Sequence, residues 1–88
     1  MIQILTIENE KGLHARASAK FVETVEGFDA EAEVSKDGMT VPGNSIMGLM
    51  MLAASKGCQI EVETTGAQEE SLAAAIKALL ADYFGEAK

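Results

Sequence analysis

Apolar residues fall with two periods along this chain, and the alternation between those periods predicts seven elements. Ile2 to Ile7 is rich in β-branched residues and predicts a first strand, with Leu5 and Ile7 alternating against Thr6 and Glu8. Ile4 beside Leu5 breaks strict alternation. Asn9-Glu10-Lys11-Gly12 reads as a polar turn. From Ala15 to Val25 the period lengthens. Ala17, Phe21, Val22 and Val25 share one helical face, Lys20, Glu23 and Thr24 the other, and Gly27 suits the stop.

Glu31-Ala32-Glu33-Val34-Ser35 alternates again, as does Met39-Thr40-Val41. Between them Lys36-Asp37-Gly38 predicts a tight hairpin, because Asp-Gly tolerates positive φ at both central positions. Pro42-Gly43 ends the second strand. Asn44 or Ser45 can cap a short helix running from Ile46 toward Ser55, with Lys56 near its end and Gly57 after it. Cys58, Ile60 and Val62 against Gln59, Glu61 and Glu63 predict a half-buried strand. Thr65-Gly66-Ala67-Gln68 has the form of a capping box. Leu72, Ala75, Ile76, Leu79, Leu80 and Tyr83 then make one apolar stripe, and Gly85 to Lys88 is expected to fray.

The order is β-α-β-β-α-β-α. The hairpin plus two outer strands makes a four-stranded antiparallel sheet. The helices must lie on one face of it, where their apolar stripes can be buried. The other face should be polar and wet. The expected class is therefore α+β, an open-faced β-sandwich with three helices on one face, in a single domain spanning 1–88. At 88 residues such a core is workable without staples, burying about 60–65% of the surface the unfolded chain exposes.

Composition narrows the chemistry. One cysteine, Cys58, excludes an internal disulfide, and its place in an alternating strand reads as a small buried hydrophobe rather than a reactive thiol. One cysteine and one histidine make no metal cluster. The longest apolar stretch, Ile46 to Ala54, is too short to span a membrane, and Met1-Ile2-Gln3-Ile4 lacks the basic flank of a signal peptide. A reduced, cytoplasmic protein is expected. Fourteen acids against seven bases give a net charge of −7, which argues against nucleic acid and anionic membranes as partners. A single anion site remains open where the local field is positive.

The only histidine, His14, stands at the entrance to the first helix. A helix start presents N–H groups without internal partners, and with the helix dipole these favour an anion. A phosphoryl group on the imidazole would be received by the backbone of Ala15, Arg16 and Ala17. The Arg16 guanidinium can fork onto its oxygens. The same field favours the neutral, nucleophilic ring. Spacing alone leaves open that His14 is an ordinary turn residue and Arg16 a solvated charge.

Lys11-Gly12-Leu13-His14-Ala15-Arg16 strongly resembles the active-site segment of HPr, the histidine-containing phosphocarrier family of the phosphoenolpyruvate-dependent phosphotransferase system. Asn44-Ser45-Ile46-Met47-Gly48-Leu49-Met50-Met51-Leu52 is similar to that family's regulatory serine and the short helix after it. Length, element order and the separation of the two segments agree. The resemblance implies that His14 accepts a phosphoryl group at Nδ1 from enzyme I and passes it to IIA domains of sugar permeases or to regulatory proteins. It implies Arg16 as charge partner and Ser45 as the target of an ATP-dependent HPr kinase/phosphorylase. It implies a monomeric phosphotransfer intermediate rather than a free-standing enzyme, with no cofactor and no metal. The family usually has proline after the arginine, where this chain has Ala17; alanine keeps the helix and puts transfer rate and partner preference in question.

Ser45 has a physical reading of its own. A phosphate at a helix start need not unfold it, but about −2 beside a docking patch changes which partner binds. Ile46, Met47 and Met50 crowd a helix too short to bury every side, so together with Ala17 they make the expected partner surface, with soft methionines suited to several partners. Leu49 and Leu52 are expected in the core. Two alternatives stand beside sugar transport: a carrier of the nitrogen branch, and an HPr-like regulatory adaptor acting through protein binding alone.

Overall fold

The computed structural model describes residues 1–88. Strand β1 (Ile2–Thr6), helix α1 (Ala15–Glu26), strands β2 (Glu31–Lys36) and β3 (Met39–Pro42), helix α2 (Ile46–Met51), strand β4 (Gln59–Thr65) and helix α3 (Glu69–Ala81) follow in that order, and a 3-10 turn (Tyr83–Gly85) closes the chain. The strands form one antiparallel sheet in the order β1-β4-β2-β3. The hairpin turn has positive φ at both Asp37 (51°) and Gly38 (83°), the backbone that matches strand twist.

Period two sorts each strand onto its faces. Leu5, Ala32, Val34, Val41, Ile60, Val62 and Thr64 point inward and are buried. The register sets Leu5 opposite Ile60, and Val34 between Val62 and Val41. Against them α1 lays Ala17, Phe21, Val22 and Val25, and α3 lays Leu72, Ala73, Ile76 and Leu80. Each large apolar side chain fully buried here contributes about 1.5–3 kcal/mol. The open face carries Glu31, Glu33, Glu61 and Glu63, with Glu33 directly opposite Glu63. Ile2 and Ile4 are exposed on the same face, so the spoiled alternation in β1 is two isoleucines left to solvent.

Four local expectations are corrected. Helix α2 ends at Met51, not near Ser55, because Ala53 takes a left-handed φ of 52° and the chain turns to bring the Ala54 carbonyl onto the Leu13 N–H at 2.9 Å. Lys56 and Gly57 therefore lie beyond the helix. The capping box does not form: α3 is capped by Gln68, whose Oε1 instead accepts from the Asp29 N–H at 2.7 Å, and Thr65 is exposed at the end of β4. The apolar stripe of α3 stops short of Tyr83, which is exposed, while its neighbour Phe84 is wholly buried. Cys58 lies just outside β4 and is half-buried, packed against the core rather than enclosed in it. Its thiol is held below the ordinary cysteine value by hydrogen bonding to Ser55, side chain first and then backbone, with Lys36 adding to the effect.

Candidate functional site

The loop before α1 is built for close approach. Gly12 has a φ of 66°, and a Cβ there would strike the Ala54 carbonyl and sit 2.9 Å from the Ser55 Cα. Leu13 is buried and bonded through its N–H to Ala54. The next residue, His14, becomes the N-cap of α1 in extended conformation, with no side-chain cap bond. The first α1 donor to find a carbonyl is Ser18, whose N–H reaches the His14 oxygen at 2.9 Å, so the N–H groups of Ala15, Arg16 and Ala17 take no backbone acceptor. These are the orphan donors of a helix start.

The imidazole opens onto a cleft of about 400 Å³ lined by Glu10, Lys11, His14, Arg16, Lys20 and the segment Gly85–Lys88. Four bases face two acids there, a locally positive field on a chain of net charge −7. Arg16 is exposed and makes no ion pair. Another cleft of similar size, about 420 Å³, runs along Val25, Phe28 and Pro42 and has only acids among its charged residues, Glu26, Glu31, Glu33 and Glu63. An anion is disfavoured there.

The C-terminal residues do not fray; they close the cleft. Glu86 Oε2 pairs with His14 Nε2, and Glu86 Oε1 accepts from Asn9 Nδ2 at 3.0 Å. The Glu10 N–H donates to the Lys88 carbonyl at 3.2 Å. Burial works to raise the Glu86 carboxyl, but the hydrogen bonds from Asn9 and His14 and the charges of His14 and Lys11 outweigh it and hold the group below its ordinary value. Asn9, expected in a polar turn, is fully buried and also donates to the Gly12 carbonyl at 2.9 Å. What aims Glu86 is the kink after α3. Tyr83 and Phe84 both take left-handed φ (55° and 54°) before Gly85, a conformation costing non-glycine residues about 1–2 kcal/mol each, offset by burial of the Phe84 ring.

Of the expected site residues, His14 and Arg16 share the cleft. Ala17 does not belong to a partner surface: it is fully buried in the core and does not line the cleft. Ser45 is half-buried and caps α2, its Oγ accepting from the Gly48 N–H at 3.0 Å. Ile46, Met47 and Met50 are exposed, joined by Met51 at 65%, while Leu49 and Leu52 are buried. Glu86 and Asn9 were not legible as site residues. The available signal was Phe84-Gly85, an apolar residue off the α3 stripe followed by glycine, which marks a turn that tucks the chain back.

A family model described as "PTS HPr component phosphorylation site" matches residues 2–82. The chain belongs to the HPr family. It is 52% identical over 84 residues to the phosphocarrier protein HPr of Neisseria meningitidis, covering 96% of this chain and 94% of that one. It is 46% identical over 85 residues to the phosphocarrier protein NPr of Escherichia coli, again covering 96% and 94%. Among solved structures, HPr from Thermoanaerobacter tengcongensis superposes with a TM-score of 0.94 at 36% identity, covering 100% of this chain and 99% of that one. As a member of the HPr/NPr family the protein is a phosphocarrier of the phosphotransferase system. No helix is long and apolar enough to cross a membrane.

Proposed function

We propose that His14 carries the phosphoryl group, taking it on Nδ1 from phosphorylated enzyme I and passing it to IIA domains of sugar permeases or to regulatory proteins. The observation that carries this reading is the engagement of Nε2 by Glu86, which leaves Nδ1 as the ring nitrogen for a phosphoryl group. The half-exposed ring at the head of α1, the unpaired N–H groups of Ala15, Arg16 and Ala17, and the excess of bases in the cleft support it. Phosphorus attached at Nδ1 is met by those dipoles and by the Arg16 fork as charge builds on its oxygens. The N–P bond is weak enough to hand the group on. The protein acts as an intermediate in transfer, as a monomer in the cytoplasm.

Ser45 is the second modification site in this reading. Its Oγ caps α2 beside exposed Ile46, Met47, Met50 and Met51, so a phosphate from an HPr kinase/phosphorylase would place negative charge at the edge of the surface that docks enzyme I and the IIA domains. Similarity to proteins named HPr and to one named NPr supports two destinations, sugar uptake and the nitrogen branch, and transfer rates to the two kinds of IIA domain decide between them.

The test is labelling from phosphoenolpyruvate and enzyme I. Wild-type protein gains acid-labile phosphate, His14→Ala gains none, and Ser45→Ala labels like wild type. Equal labelling of His14→Ala ends the assignment, and binding of partners without any labelling of the wild type would favour the adaptor reading.

A further inference from the structure

The segment after α3 is held against the cleft by three separate devices. The buried Phe84 ring anchors it, consecutive left-handed residues turn it, and the Glu10–Lys88 backbone bond fastens its end. Together they deliver one carboxylate to one ring nitrogen. The carboxylate itself is oriented from behind. Asn9 Nδ2 spends one proton on the Gly12 carbonyl and the other on Glu86 Oε1, and both of those partners are acceptors only. The amide orientation is therefore fixed by its neighbours, and Glu86 Oε2 is left facing His14 Nε2.

We propose that Glu86 is a positioning residue for transfer at His14: oriented by Asn9, it keeps the ring proton on Nε2, so that Nδ1 always presents its lone pair to phosphorus. The proposal rests on His14 being the phosphoryl acceptor. An ionised carboxylate has no proton to give, so the nitrogen facing it must donate. In the forward step the Nδ1 lone pair forms the N–P bond while the bond from phosphorus to the donor's own histidine nitrogen breaks, its electron pair returning to the donor. The His14 ring keeps the Nε2 proton and becomes formally cationic opposite the Glu86 carboxylate. In the reverse step the N–P pair returns to Nδ1 and the neutral ring is restored. No proton enters or leaves in either direction.

An isosteric amide separates this role from simple charge. In Glu86→Gln the Asn9 donor retains the new carbonyl oxygen, which turns the amide NH₂ toward Nε2. That nitrogen must then accept, moving the ring proton onto Nδ1 and blocking the acceptor atom, as happens when the carboxylate behind a catalytic histidine is replaced by its amide. Glu86→Ala removes the same charge and enforces neither tautomer. Glu10, Lys11, Arg16, Lys20 and Lys88, the other charged residues lining the cleft, are unchanged in both variants. The difference between the two variants isolates the tautomer.

The experiment measures phosphoryl acceptance from phosphorylated enzyme I, together with nitrogen-15 shifts of labelled His14 at a pH where the ring is neutral, in variants that melt like wild type. Expected are an Nε2–H ring in wild type, an Nδ1–H ring in Glu86→Gln with transfer at least about tenfold slower, and a smaller loss in Glu86→Ala. Glu86→Gln transferring as fast as Glu86→Ala, or slowed with the proton still on Nε2, overturns the proposal. A wild type that takes no phosphoryl group but keeps Nε2–H would instead bring down the underlying assignment of His14, and this proposal with it.

Discussion

Replacing Gly12 with alanine tests how tightly the His14 loop is built. Two costs add at this position. A φ of 66° is left-handed, which costs an alanine about 1–2 kcal/mol relative to glycine. The new methyl also meets backbone, the Ala54 carbonyl and the Ser55 Cα, which cannot swing aside as a flexible side chain can. Overpacking of that kind costs about 1–3 kcal/mol. The sum, about 2–5 kcal/mol, is a large share of the stability of a domain this size. At about 4–8 °C per kcal/mol, the melting temperature falls by about 8–40 °C, the upper end being reached if the loop cannot yield. Gly38 supplies the control. Its φ of 83° is also left-handed, but nothing lies within 4 Å of a Cβ built there. Gly38→Ala therefore costs only the conformational part, about 1–2 kcal/mol. Thermal melts of the two variants, followed by circular dichroism, give the comparison. Gly12→Ala melting at the same temperature as Gly38→Ala would refute the claim that the loop before His14 is pinned against the chain after α2.

Two further outcomes are expected. Incubation with ATP and an HPr kinase/phosphorylase adds one phosphate to Ser45, seen as a mass shift that Ser45→Ala abolishes; an unmodified mass retires the regulatory reading. On the open sheet face Glu33 stands directly across from Glu63, a like-charge pair that destabilises. Glu63→Lys should raise stability by about 0.5–1 kcal/mol in low salt, and the gain should shrink as salt is added; no gain, or a salt-independent one, contradicts the electrostatic account.

Much of the fold can be read from periodicity because each strand and helix faces the core on one side only. Val34, Ile60 and Val62 are buried at alternate positions, and Phe21, Val22 and Val25 at helical spacing, as their patterns predict. The Asp37-Gly38 turn is equally local. What escaped is non-local. Glu86 meets His14 across 72 residues and Asn9 across 77, and neither partner carries a pattern that announces the other. The same holds at the end of α2, where the chain leaves the helix because Ala54 is claimed by Leu13. Thr65-Gly66-Ala67-Gln68 failed as a capping box because Gln68 bonds to Asp29, in the loop before β2. The site was half visible: His14 and Arg16 from their motif, Ser45 from its capping chemistry, and the carboxylate behind the ring not at all.

The atom that bears phosphorus decides the matter most directly. Protein labelled with nitrogen-15 at histidine, phosphorylated through enzyme I, should show phosphorus coupled to His14 Nδ1 with the Nε2 proton retained. Phosphorus on Nε2 would require Glu86 to release the ring, and an acid-stable phosphate on another residue would leave His14 without its role; either result contradicts the account.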